Sequence, residues 1–355
     1  MSYFRDNIEQ ASGYVPGFQP QEAEVVKLNT NENPYAPSPK ALQALSEMGA
    51  EQLRRYPDPV GTSFRQVAAS ITGLSADHIM CCNGGDDLLT ICFRSFCAED
   101  RAVAYPVPTY SLYPVQARLQ NCPVIEVPFD SEFNLPPKLA TTAAALTIVC
   151  NPNAPSATLI ASEEMASLAD ELQGILLIDE AYVDFAECDC VELINRFDNI
   201  IILRSLSKGY SLAGIRFGYA MAQPGLIAGL MKVKDSYNVD ALALALATAA
   251  LQDQDYFAAQ VKKVKAQRQE LTQSLRALDF LVGDSQTNFV LARPQGCPAK
   301  SLCQELAQKN IYVRYFDVPG LDDKLRISVG TAEQNEELIL AVKAILSSRG
   351  SDHEQ

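Results

Sequence analysis

The sequence predicts an α/β fold: a largely parallel sheet covered by helices on both faces, followed by a smaller α+β unit. Three observations carry this. From about residue 75, short apolar runs alternate with helical patterns, as strands joined by crossover helices do. After about residue 240 the pattern changes to a long helical stretch and then a few strands. The length, 355 residues, exceeds what one hydrophobic core usually serves, so two units are the default.

The elements follow in order. Residues 1–30 are polar and punctuated by glycine and proline ("SGYVPGFQPQ") and read as an arm. Residues 31–255 form the larger unit and 256–355 the smaller one. "NENPYAPSP" opens the larger unit, and a helical stretch follows near 39–54. Its strands are expected at "HIMCCN", "RAVAYP", "PVIEVP", "LTIVCN", "GILLIDEAY", "NIIILRS" and "RFGYAMA". Helices such as "DDLLTICFRSF" and "SEEMASLADEL" lie between them. "VDALALALATAALQDQDYFAAQVKKVKAQRQELTQSLRAL" reads as one or more long helices. "NFVLAR", "IYVRYF" and "LRISVG" are the strands of the smaller unit. The polar tail "SSRGSDHEQ" is expected to be disordered. There is no internal repeat, and neither GxGxxG nor GxxxxGK spacing occurs.

Composition excludes several classes. Hydrophobic residues make up 48 % and charged residues 20 %, the profile of a soluble globular protein. The apolar runs are far shorter than a bilayer span. "MSYFRDNIEQ" lacks the basic start and apolar core of a signal peptide, so a cytoplasmic location and no membrane partner are expected. A net charge of −14 argues against nucleic acid, whose phosphates demand a basic face. None of the ten cysteines forms a CxxC pair; most should be free and buried. Cys188 and Cys190 have no second ligand pair, so no metal is expected. Only His78 and His353 could supply an imidazole, which leaves acid–base work to Lys, Tyr, Asp or Glu.

Parallel sheets bind ligands beyond the carboxyl ends of their strands. Five strand ends carry potential ligand groups: "CNGGDD", "VPTYSLY", "NPNAPS", "DEAY" and "SLSK". Lys208 in "SLSK" could reach water, or form a Schiff base with an aldehyde. Asp179 closes a strand of aliphatics, where a carboxylate is costly unless it meets a cation or donors. It also fits a helix N-cap. Pyridoxal phosphate is the usual aldehyde, and its chemistry needs a carboxylate that keeps the pyridine nitrogen protonated. Tyr182 could donate to the ring's phenolic oxygen. The amides of Gly85 and Asp86 open a helix and could meet a dianion. Ser205 and Ser207 flank the lysine, and Arg216 offers a guanidinium fork. Tyr110 could stack on the ring, or be an aromatic of the core.

"SLSKGYSLAGIRFGY", "DEAYVDF" and "NPNAPS", in one chain, resemble the fold-type I pyridoxal-phosphate enzymes of the class I/II aminotransferases. "GYVPGFQP", "KLNTNENPYAPSP", "RYPDP", "NGGDD" and "VRYF…LRISVG" narrow the resemblance to the branch acting on histidinol phosphate. It covers residues 3 to 345. It implies pyridoxal 5′-phosphate as cofactor and transfer of an amino group from L-histidinol phosphate to 2-oxoglutarate. Threonine-phosphate decarboxylation, a broad aromatic transamination and a non-enzymatic regulator on the same fold are the alternatives. The resemblance further implies that Lys208 carries the cofactor and shuttles a proton, that Asp179 holds the pyridinium, and that Tyr182 meets the phenolic oxygen. Gly85, Asp86, Ser205, Ser207 and Arg216 would hold the phosphate. Tyr56 would reach it from the partner subunit of a homodimer. Tyr14, Asn33, Arg314 and Arg326 would line the substrate end; either arginine alone fits a surface ion pair. The chain departs from the family at Ala154 and Ala157, where Asn-Pro-Thr-Gly is usual. Asn153 would stand in for the missing asparagine.

Overall fold

A computed structural model describes residues 2–20 and 24–351. A short strand β1 (Val26–Lys27) precedes the larger sheet. That sheet is built from β2 (Ile79–Cys82), β3 (Val103–Val107), β4 (Val124–Pro128), β5 (Leu146–Cys150), β6 (Ile175–Asp179), β7 (Ile200–Ser205) and β8 (Gly218–Ala222). These are the seven runs the sequence points to. Their order is β2-β8-β7-β6-β5-β3-β4. Neighbours from β7 through β4 run parallel. Only β8 is reversed, antiparallel to both β7 and β2. The carboxyl ends of β2, β3, β5, β6 and β7 therefore meet along one edge.

The apolar runs are continuous because both faces are covered. Ile148, Leu177 and Ile201 face one cluster, and their neighbours Val149, Ile178 and Ile202 face the other. That is the two-residue alternation of a strand.

The smaller unit holds β9 (Phe280–Val282), β10 (Phe289–Pro294), β11 (Ile311–Tyr312), β12 (Arg314–Tyr315) and β13 (Leu325–Ser328). Four of these form an antiparallel sheet in the order β12-β13-β10-β9. Helices Gln254–Arg276 and Ala332–Ser351 pack with it.

Some boundaries differ from the sequence expectation. The end of the arm is not free: β1 pairs in parallel with β11, and Val26 and Leu28 lie in the smaller unit's core. A two-residue strand leaves no periodic signal. The stretch near 39–54 is two helices, Pro39–Ser46 and Ala50–Leu53. The long stretch after 240 is also two, Ala241–Leu251 and Gln254–Arg276. "IYVRYF" splits at Val313 into β11 and β12, which join different sheets. The tail expected to be disordered is helical as far as Ser351; His353 lies outside the described residues. All ten cysteines are free, six of them buried and Cys188 exposed. Among the described residues no helix is long and apolar enough to cross a membrane, and no cluster of His, Cys, Asp and Glu could hold a metal ion.

Candidate active site

The chain leaves β2 and enters helix Gly84–Phe96 within one residue. Gly84 makes this turn at φ +81, which a side chain would strain. A Cβ there would also lie 2.8 Å from Nη2 of Arg216. Gly218 backs the same turn: its Cβ would come within 2.9 Å of Gly84 C and 3.1 Å of Gly85 N. Two glycines thus press the helix's first turn, with its unpaired N–H groups, onto the sheet beside Arg216. The Arg216 guanidinium donates to Ser207 Oγ at 3.3 Å and pairs with Asp86 at 3.5 Å. Ser205 Oγ accepts from Ser207 N at 3.2 Å. Gly84 was missed in the sequence. The signal was there, because the residue that opens the helix directly after the strand must take the turn.

Lys208 lies just beyond β7, half-buried, and Nζ donates to Thr30 O at 3.2 Å. Burial, and then the charge of Arg326, hold its amine down at about 8. Asn33 has a partner within the chain. Its Nδ2 donates to Lys208 O at 3.0 Å and to Gly209 O at 3.2 Å, bracing the backbone that carries the lysine.

Asp179 closes β6 and is buried. Its Oδ2 accepts from Tyr113 at 2.7 Å and its Oδ1 from Ala181 N at 3.1 Å. Burial pushes the carboxyl up to about 6 despite both donors. It caps no α-helix, since only the 3-10 turn Val183–Phe185 follows. Glu180, one residue on, points to the other side and pairs with Arg204 at 2.9 Å. Nothing in the sequence pattern singles out Tyr113. It sits three residues after Tyr110, in the first turn of helix Leu112–Gln120.

Tyr182 accepts a hydrogen bond at its hydroxyl from Asn31 Nδ2 at 3.0 Å. Burial pushes its phenol up to about 12, and Lys208 Nζ lies 5.8 Å from its ring centroid. Ala154 and Ala157 pack in the cluster that Tyr182 joins. Asn153 spends its amide on Pro108 O at 3.2 Å and Ser156 Oγ at 2.8 Å, and its carbonyl accepts from Thr109 at 2.9 Å. Tyr110 meets Tyr14 edge-on at 6.0 Å and donates to Asp86 at 3.3 Å.

Arg314 and Arg326 are direct partners across the β12–β13 pair, where like charges are unfavourable. Aromatic rings offset this. Both guanidinium carbons approach Phe316, at 5.2 and 5.4 Å from its centroid, and Arg326 also lies 5.3 Å from Phe289. Each such contact contributes about 0.5–2 kcal/mol. Arg326 Nη2 donates to Asn29 O at 2.9 Å, while its buried Nε has no partner. A cavity of about 400 Å³ is lined by Tyr14, Arg314 and Phe316. Tyr56 stands 82 % exposed and stacks on Tyr237 at 4.6 Å.

A family model described as aminotransferase class I and II matches residues 23–342. A protein of Nostoc sp. named histidinol-phosphate aminotransferase 1 is 48 % identical over 351 residues, 98 % of this chain and 99 % of its own. A histidinol-phosphate aminotransferase of Rhodopirellula baltica is 42 % identical over 349 residues, 97 % of this chain and 96 % of its own. The crystal structure of histidinol-phosphate aminotransferase from Sinorhizobium meliloti in complex with pyridoxal-5′-phosphate superposes with a TM-score of 0.89 at 25 % identity, covering 98 % of both chains. L-threonine-O-3-phosphate decarboxylase from Porphyromonas gingivalis shares the fold, with a TM-score of 0.79 at 22 % identity over 90 % of this chain and 99 % of its own.

Proposed function

The chain belongs to the class I and II aminotransferases, and on that premise we propose that it moves the amino group of L-histidinol phosphate to 2-oxoglutarate, with pyridoxal 5′-phosphate as cofactor, as a step of histidine biosynthesis in the cytoplasm. The observation that carries the substrate reading is the facing pair Arg314 and Arg326, with the unpartnered Nε of Arg326. Two guanidinium groups suit a phosphate dianion on one substrate and a carboxylate on the other.

The donor set fits the cofactor. The glycine turn leaves room that a Cβ would fill, beside Arg216 and the hydroxyl of Ser207. This is the chemistry of a phosphate cradle, to which Gly85, Asp86 and Ser205 belong. When bound, pyridoxal phosphate supplies an aldehyde for amines and a ring that draws electrons from the carbon being deprotonated. Lys208 Nζ, neutral in a good fraction near pH 8, serves as nucleophile and then carries the proton from the substrate carbon. Asp179 supplies the negative charge that keeps a pyridine nitrogen protonated. The Tyr182 hydroxyl donates toward a phenolic oxygen, and Tyr110 offers a ring face. Asn153 is too fully engaged to add a donor, so it braces the Pro108 turn instead.

Two copies pair in this reading, with Tyr56 of each serving the other's phosphate. Its exposure and its stacking on Tyr237 support that role. The test of the whole proposal is to incubate purified protein with histidinol phosphate and 2-oxoglutarate and to assay glutamate. Threonine phosphate, with carbon dioxide as readout, runs in parallel. Release of carbon dioxide without glutamate would move the assignment to the decarboxylase.

A further inference from the structure

We propose that Asn31 fixes the direction of the Tyr182 hydroxyl proton, and that Ser328 and Asn288 of the smaller unit hold Asn31 in the orientation that does so. The inference rests on the reading that this pocket takes pyridoxal phosphate. Asn31 is then a positioning residue, acting through Tyr182.

Ser328 Oγ accepts from Asn31 N at 2.9 Å and donates to Asn31 Oδ1 at 2.9 Å. With the serine hydrogen spent on Oδ1, the Asn31 amide presents Nδ2 on its other side. Asn288 Nδ2 donates to Asn31 O at 2.8 Å and anchors the backbone. Asn31 is buried and sits at φ +57, the left-handed region that asparagine tolerates. Its Nδ2 lies 3.0 Å from the Tyr182 hydroxyl. An amide nitrogen only donates, so Tyr182 accepts there. The hydroxyl's own hydrogen is left to point elsewhere, into the space it shares with Lys208. Ala154 offers no side-chain donor in this cluster, and the Asn153 amide is spent on Pro108 and Ser156.

The neighbours of Asn31 make the same crossing. Asn29 O accepts from Arg326, Thr30 O accepts from Lys208 Nζ, and Asn33 donates to Lys208 O. One strap, tied to the smaller unit through β1 and Ser328, touches the lysine, the tyrosine and the arginine in turn.

The test follows the visible absorption band of the lysine-bound cofactor as a function of pH, with cofactor affinity measured by titrating the apoprotein. Without the Asn31 amide, Tyr182 donates less strongly to the phenolic oxygen. The midpoint of the band change in Asn31→Ala is expected to rise by about half to one pH unit, and affinity to fall several-fold, as the loss of one hydrogen bond implies. Asn31→Asp recaptures the tyrosine proton and should move the midpoint further up. Ser328→Ala, which leaves Asn31 in place but free to flip, should move it by less in the same direction. A merely structural role would lower the thermal midpoint of all three and leave the spectral midpoint at its wild-type pH; that result overturns the assignment. Wild-type protein with no visible band overturns the cofactor reading instead, and this assignment falls with it.

Discussion

The hydroxyl of Tyr113 donates to Oδ2 of Asp179 at 2.7 Å, inside the protein. It joins the first turn of helix Leu112–Gln120 to the end of β6. Burial raises the Tyr113 phenol far above its usual value, so the tyrosine is the donor whenever Asp179 is ionised. A donor to a buried carboxylate contributes about 1.5–3 kcal/mol. Tyr113→Phe should therefore raise the Asp179 carboxyl from about 6 by roughly one to two pH units. The acid limb of cofactor uptake should move up by the same amount. An unmoved limb would show that the bond contributes nothing to the charge on Asp179.

Asp179 itself should cost the apoprotein stability. Its folded value, about 6, lies above the ordinary 3.8, so the folded chain holds this proton more tightly than the unfolded chain does. Stability from that preference is full below the unfolded value and is lost as pH rises through about 6. Above that, Asp179→Asn should raise the melting temperature of the apoprotein, by up to the equivalent of about 3 kcal/mol. The gain should vanish near pH 4. Turnover of the same variant should drop by orders of magnitude. Calorimetry at pH 7.5 and 4 decides this, and a variant less stable at 7.5 contradicts it.

Cofactor capture should follow the Lys208 amine. With its value held at about 8 rather than 10.5, the apoprotein should take up pyridoxal phosphate half-maximally near pH 8. Arg326 is the largest charge holding that value down. Arg326→Met should push the midpoint upward, which stopped-flow absorbance would read directly. A midpoint unmoved by the substitution would detach the two cations.

Arg314 and Arg326 should divide their labour. Arg326→Lys keeps the charge but loses the fork, so both half-reactions should weaken. Arg314→Ala should raise KM for histidinol phosphate more than for glutamate. Phe316→Leu frees both guanidinium groups and should raise both KM values by roughly 3- to 30-fold, as contacts of this kind imply. Equal effects of Arg314→Ala on the two substrates would remove its assignment to the phosphate.

Complementation tests Tyr56. Lys208→Ala and Tyr56→Ala homodimers should each be inactive or nearly so. In a mixed dimer both lesions fall in one site and the other site is intact. Re-equilibrated mixtures should regain up to about a quarter of wild-type activity. Activity equal to the mean of the two variants, with subunit exchange verified, would falsify the shared site.

Lys208 and Asp179 were legible in the sequence because each stands where an apolar run closes, and Arg216 because it stands where the next one opens. Local pattern alone places such groups on the ligand edge of a parallel sheet. The seven strands of the larger sheet were legible for the same reason. Tyr113 was not, since a tyrosine among apolar neighbours looks the same whether its hydroxyl meets water or a carboxylate. Asn31 was not, because its partner Tyr182 is 151 residues away. Asn33 was picked out, yet its amide braces the lysine's backbone, which no spacing could reveal. β1 was invisible because two residues carry no period.

Ser205 and Gly218 are register partners at the start of the β7–β8 pair, and Leu206 N closes onto Phe217 O at 3.1 Å. The segment between them, which carries Lys208 and Arg216, is a noose drawn tight at its base. Its ends belong to a sheet that cannot yield, so an inserted or deleted residue has nowhere to be absorbed except at the lysine or the arginine. Composition is held as well as length, since Tyr210 stacks on Phe257 at 4.1 Å and Leu212 is buried in the larger unit's core. For protein engineering, the same noose marks where a loop graft must match residue for residue.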